Sequence, residues 1–258
     1  MSAQLPLLLE RTDKVARLTF NRPERLNALT TEMMNAAAAF VEQQSADSGV
    51  RVFVLTGAGR AFSAGADLTG HGNDDPGMLP IDAANRLTRA LRAAPQPIVA
   101  AVNGAAAGVG CSFALASDLV VACESADFLL AFADIGLMPD GGATALIPAL
   151  IGYARATRMA MLAERIPARV AAEWGLIGHV VADTEFDSEV ELIVTRLATG
   201  PTAAYTRTKH AFNATALAQL ETALEIERDG QSALFDTADL AEGVTAFKAK
   251  RRPKFVGK

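Results

Sequence analysis

Val52-Phe-Val-Leu-Thr-Gly-Ala-Gly-Arg-Ala-Phe-Ser-Ala-Gly-Ala-Asp67 sets the pattern from which the rest of the chain is read. Its first four residues are all apolar, as in a strand covered on both faces, and the run stops at Gly57-Ala58-Gly59. The same unit recurs downstream. Residues 98–102 (Ile-Val-Ala-Ala-Val) end at Asn103-Gly104, and a helical stretch opens near Gly108. Residues 119–122 and 128–130 predict two further short strands. Upstream, residues 7–10 and 15–20 flank a turn at Thr12-Asp13, which predicts a hairpin. Thr30 is placed to cap a helix whose apolar face is Met33, Ala37, Phe40 and Val41. After about Asp140 the texture changes. Segments 143–151, 153–163, 186–199, 202–216, 217–231 and 236–249 read as helices, with one short strand near residues 179–181. Strands with interspersed helices followed by mostly helices predict an α/β core over residues 1–195 and a helical C-terminal subdomain over 196–258. The Gly, Asn, Asp and Pro content of residues 69–85 predicts a mobile loop.

Composition narrows the function classes. The 258 residues are 50% hydrophobic and 21% charged, which supports a sizeable core and excludes general disorder. The net charge of −5 is unevenly spread. Six basic residues and no acid lie in residues 248–258, leaving 18 basic against 29 acidic residues elsewhere. Such a body does not coat nucleic acid, while the basic tail asks for an anionic partner or for water. Cys111 and Cys123 are too few for a disulfide framework. The start, Met-Ser-Ala-Gln, lacks the basic and apolar regions of a signal peptide. Residues 93–117 carry no charge, but Pro95, Pro97, Asn103, Gly104, Gly108 and Gly110 divide them into pieces too short to span a membrane. The expectation is a cytoplasmic protein without a membrane segment.

Two glycine-rich junctions are the places for chemistry, residues 57–67 and 103–111. Glycine and alanine after a strand let main-chain N–H groups come close to a ligand. The second junction opens a helix, so the N–H groups near Val109 also lie at a positive dipole end. Two such turns converging on one oxygen would form an oxyanion hole; equally, small residues there allow tight strand–helix packing. The dinucleotide fingerprint fails, because Phe62 and Phe113 stand where its third glycine belongs, and no phosphate-binding Gly-Lys-Ser/Thr occurs. His71, His179 and His210 form no metal spacing, and Cys111 lacks a partner base, so a metal-free acid–base site is what remains. Asp140 is the carboxylate to single out. It follows Pro139, precedes Gly141-Gly142 and stands where a helix begins, so it is either an N-cap or a proton shuttle at the edge of a glycine-lined cavity.

Five motifs carry a resemblance. They are Asn-Arg-Pro-Glu-Arg-Leu-Asn-Ala-Leu (21–29), Leu-Thr-Gly-Ala-Gly-Arg-Ala-Phe-Ser-Ala-Gly-Ala-Asp-Leu (55–68), Ala-Val-Asn-Gly-Ala-Ala-Ala-Gly-Val-Gly (101–110), Ile-Gly-Leu-Met-Pro-Asp-Gly-Gly (135–142) and Glu-Gly-Val-Thr-Ala-Phe-Lys-Ala-Lys-Arg (242–251). In order and nearly end to end, they resemble the enoyl-CoA hydratase/isomerase, or crotonase, superfamily. The resemblance implies a spiral of repeated β-β-α units with a helical C-terminal trimerisation region, assembled as a homotrimer or a dimer of trimers. It implies an acyl-CoA thioester as substrate and no cofactor beyond the coenzyme A the substrate carries. By motif position, the N–H groups of Ala66 and Val109 would hold the thioester oxygen. Backbone groups of Ala64 and Leu68 would flank the adenine, Asp67 would belong to the CoA-binding set, and Arg25 would lie near the CoA phosphates. Phe247 and Lys250 would reach CoA from the C-terminal helix. The two glutamates of hydratases correspond to Ser112 and Phe132, which cannot position water and deliver a proton. Asp140 matches the aspartate of an isomerase subgroup similar to the phenylacetate-pathway 1,2-epoxyphenylacetyl-CoA isomerase, a likeness that extends to residues 171–177 and 225–229. The expected activity is therefore double-bond or ring-epoxide isomerisation with Asp140 as proton shuttle. The alternatives are an acyl-CoA-binding protein without chemistry, or a hydratase working without the two glutamates.

Overall fold

The computed structural model describes residues 5–68 and 80–258. His71 and most of the segment expected as a loop lie outside those residues.

The first two strands form the expected hairpin. β1 (Leu7–Thr12) runs antiparallel to β2 (Val15–Phe20), with Asp13 in the left-handed region at the tight turn. α1 (Thr31–Ser45) follows, its first turn capped by the Thr30 hydroxyl, which accepts from the Met33 N–H at 3.3 Å. β3 (Val52–Gly57) then enters the sheet beside β2, and its apolar run is buried as its composition requires. β4 (Ala61–Ser63), α2 (Pro80–Ala93), β5 (Ile98–Val102), β6 (Ala105–Ala107) and α3 (Val109–Leu115) complete the two glycine junctions. β7 (Leu119–Cys123) and β8 (Asp127–Leu129) repeat the unit without an intervening helix. The chain thus alternates between two sheets. A six-stranded one has the order β1-β2-β3-β5-β7-β10 and a four-stranded one the order β4-β6-β8-β9, where β9 is Ile166–Pro167 and β10 is His179–Val181. Within the first sheet every pairing except the hairpin is parallel. The parallel strands β3, β5 and β7 therefore end on the same side, and each turns into a short strand of the second sheet, β3 and β5 through their glycine junctions. This is the α/β spiral of the crotonase fold.

Helices supply the rest: α4 (Ala143–Met161), α5 (Ala168–Trp174), α6 (Phe186–Thr199), α7 (Thr202–Thr215), α8 (Leu220–Phe235) and α9 (Ala238–Lys248). The break expected between residues 151 and 153 is present as Gly152, whose φ of 75° and ψ of 164° interrupt α4. Beyond the break, the Arg155 and Arg158 guanidiniums of α4 lie 5.4 Å and 5.5 Å from the centre of the Trp174 ring.

One expectation needs correction. Residues 80–85 are not loop; they begin α2, whose buried Ile81, Ala84, Leu87 and Leu91 pack against α1 and the core. The last residues are exposed, as a basic tail facing water would be, but their main chain is tied to α9. The Asp239 carboxylate accepts the N–H groups of Val256 and Gly257 at 2.6 Å and 2.8 Å, and Glu242 accepts the Lys254 N–H at 2.8 Å. Glu242 also pairs with Arg251, and these donors hold its carboxyl down to about 2. One of the six tail charges is thereby matched within the chain. The C-terminal helices pack on the core rather than standing apart. Buried Lys209 on α7 donates to the carbonyls of Leu91 and Gln96 and pairs with Asp118 at 2.8 Å. Burial pulls its ammonium down to about 8, against the opposing pull of Asp118.

Candidate active site

A cavity of 630 Å³ opens between the two glycine junctions, the Asp140 turn and the C-terminal helices. Asn27 builds one wall from below. Held with φ at +57°, it accepts the Arg22 N–H and donates from its amide nitrogen to the carbonyls of Ala58 and Ala61 at 2.9 Å and 2.7 Å. Ser63 continues the lock: its hydroxyl donates to the Asn27 carbonyl and accepts the Gly65 N–H. The left-handed turn at Leu26-Asn27 thus fixes the first glycine junction through side-chain amide and hydroxyl groups.

The two junctions meet at their glycines. A Cβ on Gly65, where φ is +92°, would lie 2.9 Å from the Ala107 carbonyl oxygen and 3.4 Å from the Gly108 Cα. Only glycine allows this approach. It brings together the turns that carry Ala66 and Val109, and the N–H directions there follow from their neighbours' bonds. Leu29 donates to the Gly65 carbonyl, and its own carbonyl accepts the Asp67 N–H, so the Ala66 N–H between them faces away from Leu29. Gly108 donates to the Leu129 carbonyl, and Val109 opens α3, where the first helical N–H groups have no intrahelical acceptor. Neither the Ala66 nor the Val109 N–H has a partner among the described residues. Two unengaged N–H groups on adjoining turns, one at a helix N-terminus, could together donate to one negatively charged oxygen. The close packing expected of the small residues is present, and it sets the two N–H groups on adjoining turns.

Asp140 lies on the same cavity, on a turn whose next two residues, Gly141 and Gly142, have φ of 66° and 86°. A Cβ on Gly141 would come within 3.0 Å of the Ser112 Cβ and 3.2 Å of a Val109 methyl, so the turn presses on the first turn of α3. Ser112 is buried and its hydroxyl donates to the Asp140 carbonyl at 2.7 Å, while Thr88 of α2 donates to the Gly141 carbonyl. The reading of Asp140 as an N-cap fails. Gly142 occupies the cap position, and the start of α4 is capped from outside by Glu227 of α8. That carboxylate accepts the Gly142 N–H at 2.7 Å, the Thr144 N–H at 2.8 Å and the Thr144 hydroxyl at 2.6 Å. With its own side chain released from capping, the Asp140 carboxyl accepts one hydrogen bond, from the Gln231 amide at 2.8 Å. Burial pushes it up to about 7; the Gln231 bond opposes this and the Glu227 charge adds to it. A carboxyl poised there can both take and return a proton at neutral pH.

Arg25, Ala64, Ala66, Asp67, Leu68, Val109, Asp140 and Phe247 are all brought to this cavity; Lys250 is not among the residues lining it. The Asp67 carboxylate is 2.8 Å from the Arg22 guanidinium, so its side chain braces the junction. Phe132 forms part of the apolar wall. Cys111 is a buried core residue whose thiol burial pushes up to about 12. His179 is exposed beside Glu189, and no metal-holding group of side chains occurs among the described residues. Asn27, Glu227 and Gln231 were not singled out from sequence.

The profile of the family described as Enoyl-CoA hydratase/isomerase matches residues 10–258. The chain belongs to this family. It is 42% identical to the 1,2-epoxyphenylacetyl-CoA isomerase of Escherichia coli K12, over 98% of this chain and 100% of that one. It is 41% identical to a probable enoyl-CoA hydratase of Rhodobacter capsulatus, over 96% and 97%. Among solved structures, an enoyl-CoA hydratase from Mycobacterium avium subsp. paratuberculosis K-10 superposes with a TM-score of 0.92 at 46% identity, covering 98% of this chain and 99% of that one. Family relatives therefore include both isomerases and hydratases, and this chain is an acyl-CoA enzyme of that family. No helix among the described residues is long and apolar enough to cross a membrane.

Proposed function

We propose that this enzyme isomerises an enoyl-CoA, or a ring-epoxide acyl-CoA, through an enolate held by the Ala66 and Val109 N–H groups, with Asp140 moving the proton. The observation that carries the reading is the Asp140 carboxyl on the cavity wall, its Oδ1 enclosed and without a hydrogen-bond partner, together with Ser112 and Phe132 at the positions where the resemblance puts the two hydratase glutamates. For a 3-enoyl-CoA, the ionised Asp140 removes a proton from C2. The electrons move into the thioester carbonyl, and the negative oxygen is stabilised by the two N–H donors. Protonated Asp140 then delivers the same proton to C4, and the electrons return to form the 2,3 double bond. One carboxyl suffices because the proton lost and the proton gained are the same. Coenzyme A enters as part of the substrate and no other cofactor is needed. Arg25 near the CoA phosphates and Phe247 against the CoA chain complete the binding reading, with Ala64 and Leu68 flanking the adenine and Asp67 in the CoA-binding set.

The test is turnover of a 3-enoyl-CoA by the wild type and by Asp140→Asn. Equal rates would remove Asp140 from the mechanism. Tight acyl-CoA binding without turnover of any 2-enoyl, 3-enoyl or epoxide substrate would instead favour a binding protein. Crotonyl-CoA hydration above the buffer background would favour a hydratase. The same reading carries a cytoplasmic homotrimer or dimer of trimers joined through the C-terminal helices, which sedimentation of the purified protein checks.

A further inference from the structure

The side chains that govern Asp140 come from α8, a helix in the segment assigned to oligomerisation. Glu227 and Gln231 are four residues apart and so share one face of α8. Gly230 lies beside them, and a Cβ there would come within 2.2 Å of the Met138 sulfur, so the helix lies directly on the 138–144 turn. Gln231 is completely buried, and its amide nitrogen donates to two oxygens, the Met138 carbonyl at 2.9 Å and Asp140 Oδ2 at 2.8 Å. The Met138 carbonyl can only accept, which fixes which end of the amide faces the turn. Asp140 Oδ2 is therefore committed to an N–H donor. The other oxygen, Oδ1, is buried and has no hydrogen-bond partner. A buried carboxyl oxygen left unpartnered on a cavity wall is costly unless a ligand answers it.

Resting on the isomerase reading above, we propose that Gln231 is a positioning residue for the proton transfer. It pins Oδ2 and so assigns the moving proton to Oδ1, while Glu227 holds the turn that carries Asp140. The bond from Gln231 also works against burial, keeping the carboxyl within reach of neutral pH rather than permanently protonated. The other titratable groups lining the cavity are Glu24, Arg25, Arg60, Asp67 and Asp134. From α2 and α3 the turn meets Thr88, Ser112 and Val109, none of which is charged.

Gln231→Met keeps the volume and removes the donor; Gln231→Glu keeps the shape and sets a second carboxyl against the first. With a 3-enoyl-CoA, both variants should lower kcat about tenfold with KM nearly unchanged, since substrate binding does not use this bond. Both should also move the acid limb of the kcat profile upward, by roughly half a unit to one unit in Gln231→Met and further in Gln231→Glu. A residue that merely supported the fold would leave that limb in place. Wild-type kcat and pH profile in both variants, alongside an inactive Asp140→Asn, would overturn the inference and leave the isomerase reading standing. Should Asp140→Asn retain full activity, the isomerase reading fails, and a carboxyl-carbon NMR titration decides separately. The Asp140 signal, assigned by its loss in Asp140→Asn, must titrate higher in Gln231→Met or Gln231→Glu than in the wild type. An unmoved signal ends the proposal.

Discussion

At one end of the cavity, the Ala66 and Val109 N–H groups are aimed by main-chain bonds between adjoining turns. At the other, the Asp140 carboxyl is aimed by a side chain 91 residues further along the chain. The two ends answer to different changes. The main-chain end has no functional side chain to delete, but it depends on Gly65 and Gly108 staying without a Cβ. On the proposed mechanism the carboxylate end would tolerate no loss of charge at Asp140, while its protonation would be tuned in steps through Gln231 and Glu227. A fixed donor pair and an adjustable acid are what an enolate mechanism requires, since the oxygen's charge develops in one place while the proton must both leave and return.

The largest effect should come from the carboxylate end. Asp140→Asn is expected to lower isomerase kcat on the order of 10²–10⁴-fold while acyl-CoA still binds, as steady-state kinetics and calorimetry would show. Next comes the main-chain end. Gly65→Ala forces a side chain against the Ala107 carbonyl at a positive φ, so kcat should fall about 10²–10³-fold as the Ala66 donor is displaced. A loss much below tenfold would mean that the glycine contact is packing alone.

A third test separates activity from stability. The Asp140 carboxyl lies at about 7 in the fold against an ordinary value of 3.8. Its contribution to stability is full below about pH 4 and is lost as the pH rises through 7. Asp140→Asn should therefore match or fall below the wild type in urea denaturation at pH 4. It should exceed the wild type at pH 8.5 by at most about 4 kcal/mol. No pH-dependent gain would mean that the carboxyl is solvated in the native state. The smallest effect belongs to the periphery. Lys250→Glu should raise KM for acyl-CoA by about threefold at low salt and less at high salt, because a surface charge acts through a screened field.

What sequence reveals follows the same division. The strand-to-glycine junctions, the hairpin, the Thr30 cap and the break near residue 152 are local, and each was readable from a few consecutive residues. So was Asp140 as the carboxylate of interest, although its release from capping depended on Glu227. α2 went unread because Pro80 adjoins a stretch rich in breakers, even though Ile81, Ala84, Leu87 and Leu91 carry a helical spacing. Glu227 and Gln231 left a fainter trace. They continue the buried stripe of Leu220 and Leu224 along α8, two polar residues on positions where an apolar face predicts leucine. Such a mismatch signals a buried polar partner, but only the folded chain shows that the partner is the Asp140 turn. Asn27 was concealed in the same way, inside a quoted motif whose hydrogen bonds run to residues more than thirty positions away.

Trp174 has a practical consequence. It is the only tryptophan in the chain, and two guanidiniums from the far half of α4 lie over its ring. Gly152 separates that half from the helix start that Glu227 caps. The protein's intrinsic fluorescence therefore watches the wrong end of the helix for catalysis. It should change when the fold melts and stay constant as acyl-CoA is titrated in. That makes it a clean optical readout of stability in the variants above, and a reason to place any binding probe elsewhere.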